Sequence, residues 1–84
     1  MGKFTPPPEG MKNFFFTFSL NHLGKNGESL RKRYAVIPAK DIGYARNEMF
    51  RLRGAKWAWA YTSAQQAGVY KHNLKEIELK DIEL

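Results

Sequence analysis

Few residues in this chain are of types that do bond-making chemistry. Histidine occurs twice, at His22 and His72, and cysteine not at all. A zinc site would have to draw carboxylates from elsewhere, and no thiolate nucleophile or disulfide framework exists. Glu76 and Glu78 are spaced so that a strand would turn both to one side, but an exposed charged face accounts for them better than a hydrolytic pair. No glycine-rich phosphate loop, nucleophile elbow or HExxH motif is present. His22 reads as a partly exposed strand residue, neither ligand nor base. The reading is of a non-enzymatic protein, with no catalytic residues, no metal ligands and no cofactor.

Charge is the stronger signal. The net charge is +6, and Lys25 to Lys56 contains nine Lys/Arg against Glu28, Asp41 and Glu48, so that span alone carries +6. Such a field favours anionic partners. The candidate partner-binding or anion-binding residues are Lys25, Arg31, Lys32, Arg33, Tyr34, Arg46, Arg51, Arg53 and Lys56. Arg31-Lys32-Arg33-Tyr34 is the densest basic run. It suits phosphate contact, or equally an edge strand whose charges block aggregation. Two partner classes fit: an acidic surface on another protein, and a nucleic acid held by its phosphates, with Tyr34 or Phe15 adding stacking. The charge map supports either.

These side chains need elements to position them. Ile42, Ala45, Met49 and Leu52 recur at helical spacing, with Asp41 suited to cap the start and Gly54 to stop the end. The spacing predicts one helix, with Arg46, Asn47, Arg51 and Arg53 on its wet face. After Gly54 the period becomes two: Trp57, Trp59 and Tyr61 share one side of a strand, Ala58 and Ala60 the other. The aromatic side is expected beneath the helix; the sharper alternative is an exposed platform on which bases stack.

Residues 13–20 alternate, with Phe14, Phe16, Phe18 and Leu20 on one face and Phe15 as a small patch on the back. Asn26-Gly27 predicts a hairpin, both residues at positive φ, whose basic tip is long and mobile. Residues 33–38 form the second strand, with Tyr34 and Val36 opposite Arg33, Ala35 and Ile37. Thr62-Ser63 is suited to cap a short turn ending at Gly68. Leu74–Leu79 reads as a last strand with Ile77 and Leu79 inward, followed by a frayed tail. The expected architecture is two-layer α+β, ββαβ(α)β. A four-stranded antiparallel sheet of order 2-1-3-4 carries one main helix on one face.

At 84 residues, 43% hydrophobic and 14% aromatic, the chain is long enough for one folded domain. That domain is expected over 13–84. MGKFTPPPEGMK, residues 1–12, reads as a flexible Pro-rich arm. No apolar run approaches a membrane span and no signal core is visible, which fits the cytoplasm. An edge strand offers a route to a homodimer.

The run Asp41, Tyr44-Ala45-Arg46, Met49-Phe50, Gly54, Lys56-Trp57-Ala58 and Tyr61 resembles a pattern in small phage- or prophage-encoded proteins. These proteins have a phenylalanine-rich first strand followed by a similar helix–strand unit. The resemblance implies a viral or mobile-element context and carries over no site residues. It leads to the reading of a small phage-type accessory protein in the cytoplasm of a host cell, and it tilts the partner towards a host or viral protein, with nucleic acid as the alternative.

Overall fold

A computed structural model describes residues 6–84. The elements are β1 (Lys12–Thr17), β2 (Arg33–Ala39), α1 (Ile42–Arg53), β3 (Trp59–Tyr61), β4 (Lys75–Glu76) and a 3-10 turn at Leu79–Asp81. No helix among the described residues is long and apolar enough to cross a membrane. Of the expected arm, residues 1–5 lie outside the described residues. Beyond them, the Met11 N–H donates to the Pro8 carbonyl at 2.9 Å with Gly10 at φ +82°, and Lys12 already belongs to β1.

The helix follows its spacing. Ala45, Met49 and Leu52 are buried, and the Asp41 carboxylate accepts from the Tyr44 N–H at 3.1 Å. That satisfies one of the first-turn donors that have no intrahelical partner. Gly54 ends the helix at φ +62°, where its N–H reaches the Phe50 carbonyl at 2.8 Å. Arg53, expected on the wet face, is 3% exposed. It stands four residues after Met49, one turn along the buried stripe.

β1 is the middle of the sheet, antiparallel to β2 on one side and β3 on the other. Phe14, Phe16 and Phe18 meet Ala35, Ile37, Met49 and Leu52 in the helix-side core. Leu20 does not join them: the strand ends at Thr17, and Leu20 is exposed.

The sheet is mixed, which corrects the antiparallel 2-1-3-4 expectation. Its order is β3-β1-β2-β4, with β4 parallel to β2. The cause lies in residues 62–74. They cross the back of the sheet on a second apolar cluster of Phe15, Tyr34, Ala64, Ala67 and Val69, which carries the chain from the β3 edge to the far edge of β2. The two crossovers, α1 in front and this segment behind, run in opposite directions on opposite faces and so share one hand. Both faces of the sheet are therefore covered, and Phe15, expected as a patch, is 5% exposed. Within the crossover the expected capped turn forms. Ser63 Oγ accepts from the Gln66 N–H at 3.2 Å, and Gly68 closes the turn at φ +79°.

Four further expectations change. The Asn26-Gly27 turn exists, but only Gly27 takes positive φ. The loop is not a mobile arm. Gly24 N–H bonds the Glu28 carbonyl at 2.8 Å, Lys25 N–H bonds the Asp81 carbonyl at 2.8 Å, and Leu30 is fully buried. The last strand shrinks to Lys75–Glu76, because the chain turns into the 3-10 segment at Leu79. The tail docks instead of fraying: Ile82 is fully buried and the Leu84 N–H donates to the Leu52 carbonyl at 3.0 Å.

The strand of alternating aromatics is inverted relative to expectation. Ala60 pairs with Phe16 and faces the helix, whereas Trp59 pairs with Thr17 and is 55% exposed. Phe16, Trp57, Met49 and Leu52 already fill the space under the helix, leaving room for a methyl group at 60. Trp57 lies before the strand. It is half-buried, edge-on to Phe16 at 5.1 Å and to Phe50 at 5.4 Å, with its indole N–H donating to the Gly54 carbonyl at 3.0 Å.

Candidate anion-binding cleft and aromatic edge

The nine residues singled out from sequence do not form one face. Tyr34 is buried in the back cluster, where burial raises its phenol pKa; a partner cannot stack on it. Arg33 turns its guanidinium to the carbonyls of Lys75, at 3.2 Å, and Glu76, at 3.0 Å, and so ties β4 to β2. Arg51 is paired with Glu48 one helical turn back, and the hydrogen bond from Arg51 holds the Glu48 carboxyl below its usual range.

Arg53 is a structural cation. It donates to the carbonyls of Lys56 at 2.7 Å, Ile82 at 2.8 Å and Leu23 at 2.9 Å, and lies 5.4 Å from the centroid of the Phe18 ring. Burial lowers its pKa, yet carbonyl acceptors suit the charged form. Lys25 and Lys56 are exposed near the docked tail.

Arg31 and Lys32 do come together with other polar groups. They enter an open cleft of about 910 Å³ on the back of the sheet. Its other walls are Thr17 and Tyr61 from the strands and Gln65, Gln66, Lys71, His72 and Asn73 from the crossover. The Lys75 N–H bond to the Lys32 carbonyl, 3.0 Å, fixes the end of the crossover beside the start of β2, and the Leu74 N–H bond to the Val69 carbonyl, 2.9 Å, closes the crossover's own last turn. Asn73 sits at φ +54°, a conformation that asparagine tolerates better than most residues. Gly68 sits at φ +79°, a conformation that favours glycine, and an added Cβ would stand 2.7 Å from the His72 ring, which would have to move.

Two properties set this cleft apart. No carboxylate is among its lining residues. Among the described residues the ion pairs are Arg51–Glu48 and Lys80–Glu78, so Arg31, Lys32 and Lys71 have their charge uncompensated by an internal partner. Three cations, a histidine and three side-chain amides can together bind anionic oxygens and hydrogen-bond to polar groups beside them.

A second surface lies along β3. Trp59 and Phe50 are half-exposed, at 55% and 50%, and with Arg46, Ala55, Trp57 and Ala58 they line a shallow apolar groove. The Arg46 guanidinium stands 5.9 Å from the Trp59 ring centroid, and its Nε is enclosed without an acceptor among the described residues.

Sequence reasoning missed Lys71, His72 and the amides because they lie within or just after a glycine-closed turn with no periodic pattern. The signal was the polar density of residues 65–73 itself. No group of three or more residues able to hold a metal ion occurs among the described residues. No family model, curated protein or solved structure matches the chain.

Proposed function

We propose that this is a non-enzymatic binding protein whose cleft takes the phosphates of a nucleic acid. The observation that carries the reading is the convergence of Arg31, Lys32 and Lys71 on one cleft without carboxylates, beside Gln65, Gln66 and Asn73. Lysine is depleted at the buried centre of protein–protein interfaces, and apolar anchors are enriched there. A cleft of cations and amides departs from that pattern and fits a sugar–phosphate backbone. This moves the balance from the acidic-protein partner, towards which the phage-like pattern tilts, to the nucleic acid. The phage-like pattern around Ala45-Arg46 and Met49-Phe50 supports a mobile-element accessory protein acting in the cytoplasm of a host cell.

The test is fluorescence anisotropy with labelled oligonucleotides across a salt series. Engaging three phosphates predicts that log K falls with log salt at a slope of about −2 to −3. A triple Arg31→Glu, Lys32→Glu, Lys71→Glu variant should lose binding while keeping its melting temperature. Absence of binding to both DNA and RNA at low salt would remove the reading.

A second reading, docking on a host or viral protein, is favoured by the position of β3. It is an edge strand whose outer side pairs with no strand among the described residues, and such edges accept a further strand. The same edge is where two copies of the chain would meet. Affinity capture with and without nuclease separates a protein partner from one carried by nucleic acid, and size-exclusion chromatography with light scattering detects a dimer.

A further inference from the structure

We propose that the β3 edge is a base-stacking platform, so that the protein takes its nucleic acid as a single strand, with phosphates in the cleft and a base on Trp59. This rests on the nucleic-acid reading above. The two surfaces are continuous. Tyr61 lines the cleft, and Trp59, two residues earlier on the same strand, is paired with Thr17, itself a cleft wall residue. At strand rise the two aromatic positions are ~6.6 Å apart. An extended polynucleotide leaving the cleft along β3 meets the Trp59 ring next.

The ring is open to a flat ligand. A large indole 55% open to water gives up apolar area that the core could have used, since Ala60 took the buried position. Trp59 stands at the sheet edge, where Arg46 reaches it from the helix on the opposite face. Cation–π contact of this kind restrains the ring. Arg46 also brings a positive charge to the platform, and its enclosed Nε has no acceptor among the described residues. The charge complementarity of the groove is therefore with an anion that also carries planar rings. Single-strand binders combine these parts: a cationic track for the backbone and aromatic faces that are indifferent to base identity. A duplex keeps its bases stacked on each other and offers no face to Trp59.

The experiment compares a fluorescein-labelled 20-nucleotide oligothymidylate with a labelled 20-base-pair duplex, by anisotropy at low salt. The wild-type protein should bind the single strand more tightly. Trp59→Ala should weaken single-strand binding about tenfold and leave duplex binding unchanged; Trp59→Phe should retain most of the affinity. Circular dichroism melts of both variants establish that they fold. Equal or tighter binding of the duplex by the wild type overturns the proposal. So does unchanged oligothymidylate affinity in Trp59→Ala, and if Lys71→Glu still weakens binding in that case, the cleft reading stands without the platform. Absence of binding to either probe overturns both.

Discussion

The guanidinium of Arg53, at the end of the helix, donates to the main-chain carbonyl of Ile82, 2.8 Å away, across 29 residues of sequence. The same side chain also holds the Leu23 carbonyl in the β1–β2 connection and the Lys56 carbonyl after the helix. One cation thus ties three separate segments by their backbones. A buried carbonyl left without a donor is costly, whereas an arginine offers five donors in a fixed fork. The arrangement explains how a short tail and a glycine-rich loop become part of the core.

Replacing Arg53 by methionine should therefore destabilise the fold by about 2–4 kcal/mol through carbonyls left unsatisfied. That is a large share of the roughly 4–12 kcal/mol expected for a domain of this length. Arg53→Lys should fall between, because an ammonium cannot span the three acceptors. Urea midpoints of the two variants check this. A loss under 0.5 kcal/mol, a typical surface value by order of magnitude, would show the network to be dispensable.

The tail itself is predicted to matter. Ile82 is fully buried in the helix-side core, so Ile82→Ala should cost about 2–3 kcal/mol. Because Arg53 bonds the same residue, the two substitutions should be non-additive by at least about 0.5 kcal/mol in a double-mutant cycle. Strict additivity would mean that the tail and the guanidinium act separately.

What could be read from sequence was whatever one period or one cap determines. Asp41, the 42–52 stripe and Gly54 specify the helix locally, and alternation sorted Phe14, Phe16, Ala35 and Ile37 onto one face. Register and partner choice are set elsewhere. Alternation says that Trp59 and Ala60 face opposite ways, but not which of them meets the helix; pairing with Thr17 and Phe16 decides that. Nothing within Lys75–Glu76 signals a parallel neighbour, because its position depends on the crossover packing over Phe15 and Tyr34. The site was half visible for the same reason. Arg31 and Lys32 stand out as a run, while Lys71 and Asn73 gain meaning only once the crossover brings them opposite.

The inversion of β3 makes an unequal pair of predictions. Ala60→Leu should destabilise by about 1–3 kcal/mol, since the added carbons enter a filled space beside Phe16. Trp59→Ala removes a far larger side chain but should cost under about 1 kcal/mol, the scale of its contact with Arg46. Thermal melts of the two variants settle the order. The opposite ranking would return the indole to the core.

His22 should make stability depend on pH. Its Nδ1 accepts the Ser19 N–H at 2.9 Å and faces the Ser19 hydroxyl at 3.2 Å, while the ring stands edge-on to Phe18. A protonated imidazole has no lone pair left to accept that bond. Burial, and then the nearby Arg53 charge, hold its pKa below the ordinary value of 6.5. The native state therefore takes up the proton less readily than the unfolded chain. The stabilisation is complete above that ordinary value and is lost as pH falls through the lowered one. Glu48, whose carboxyl is held below its ordinary 4.5, adds a separate loss at more acid pH. Urea midpoints between about pH 5 and pH 7.5 should fall on the acid side for the wild type. A His22→Asn variant, which keeps an acceptor but does not titrate there, should show a flatter profile, and matching slopes for the two proteins would remove His22 as the source.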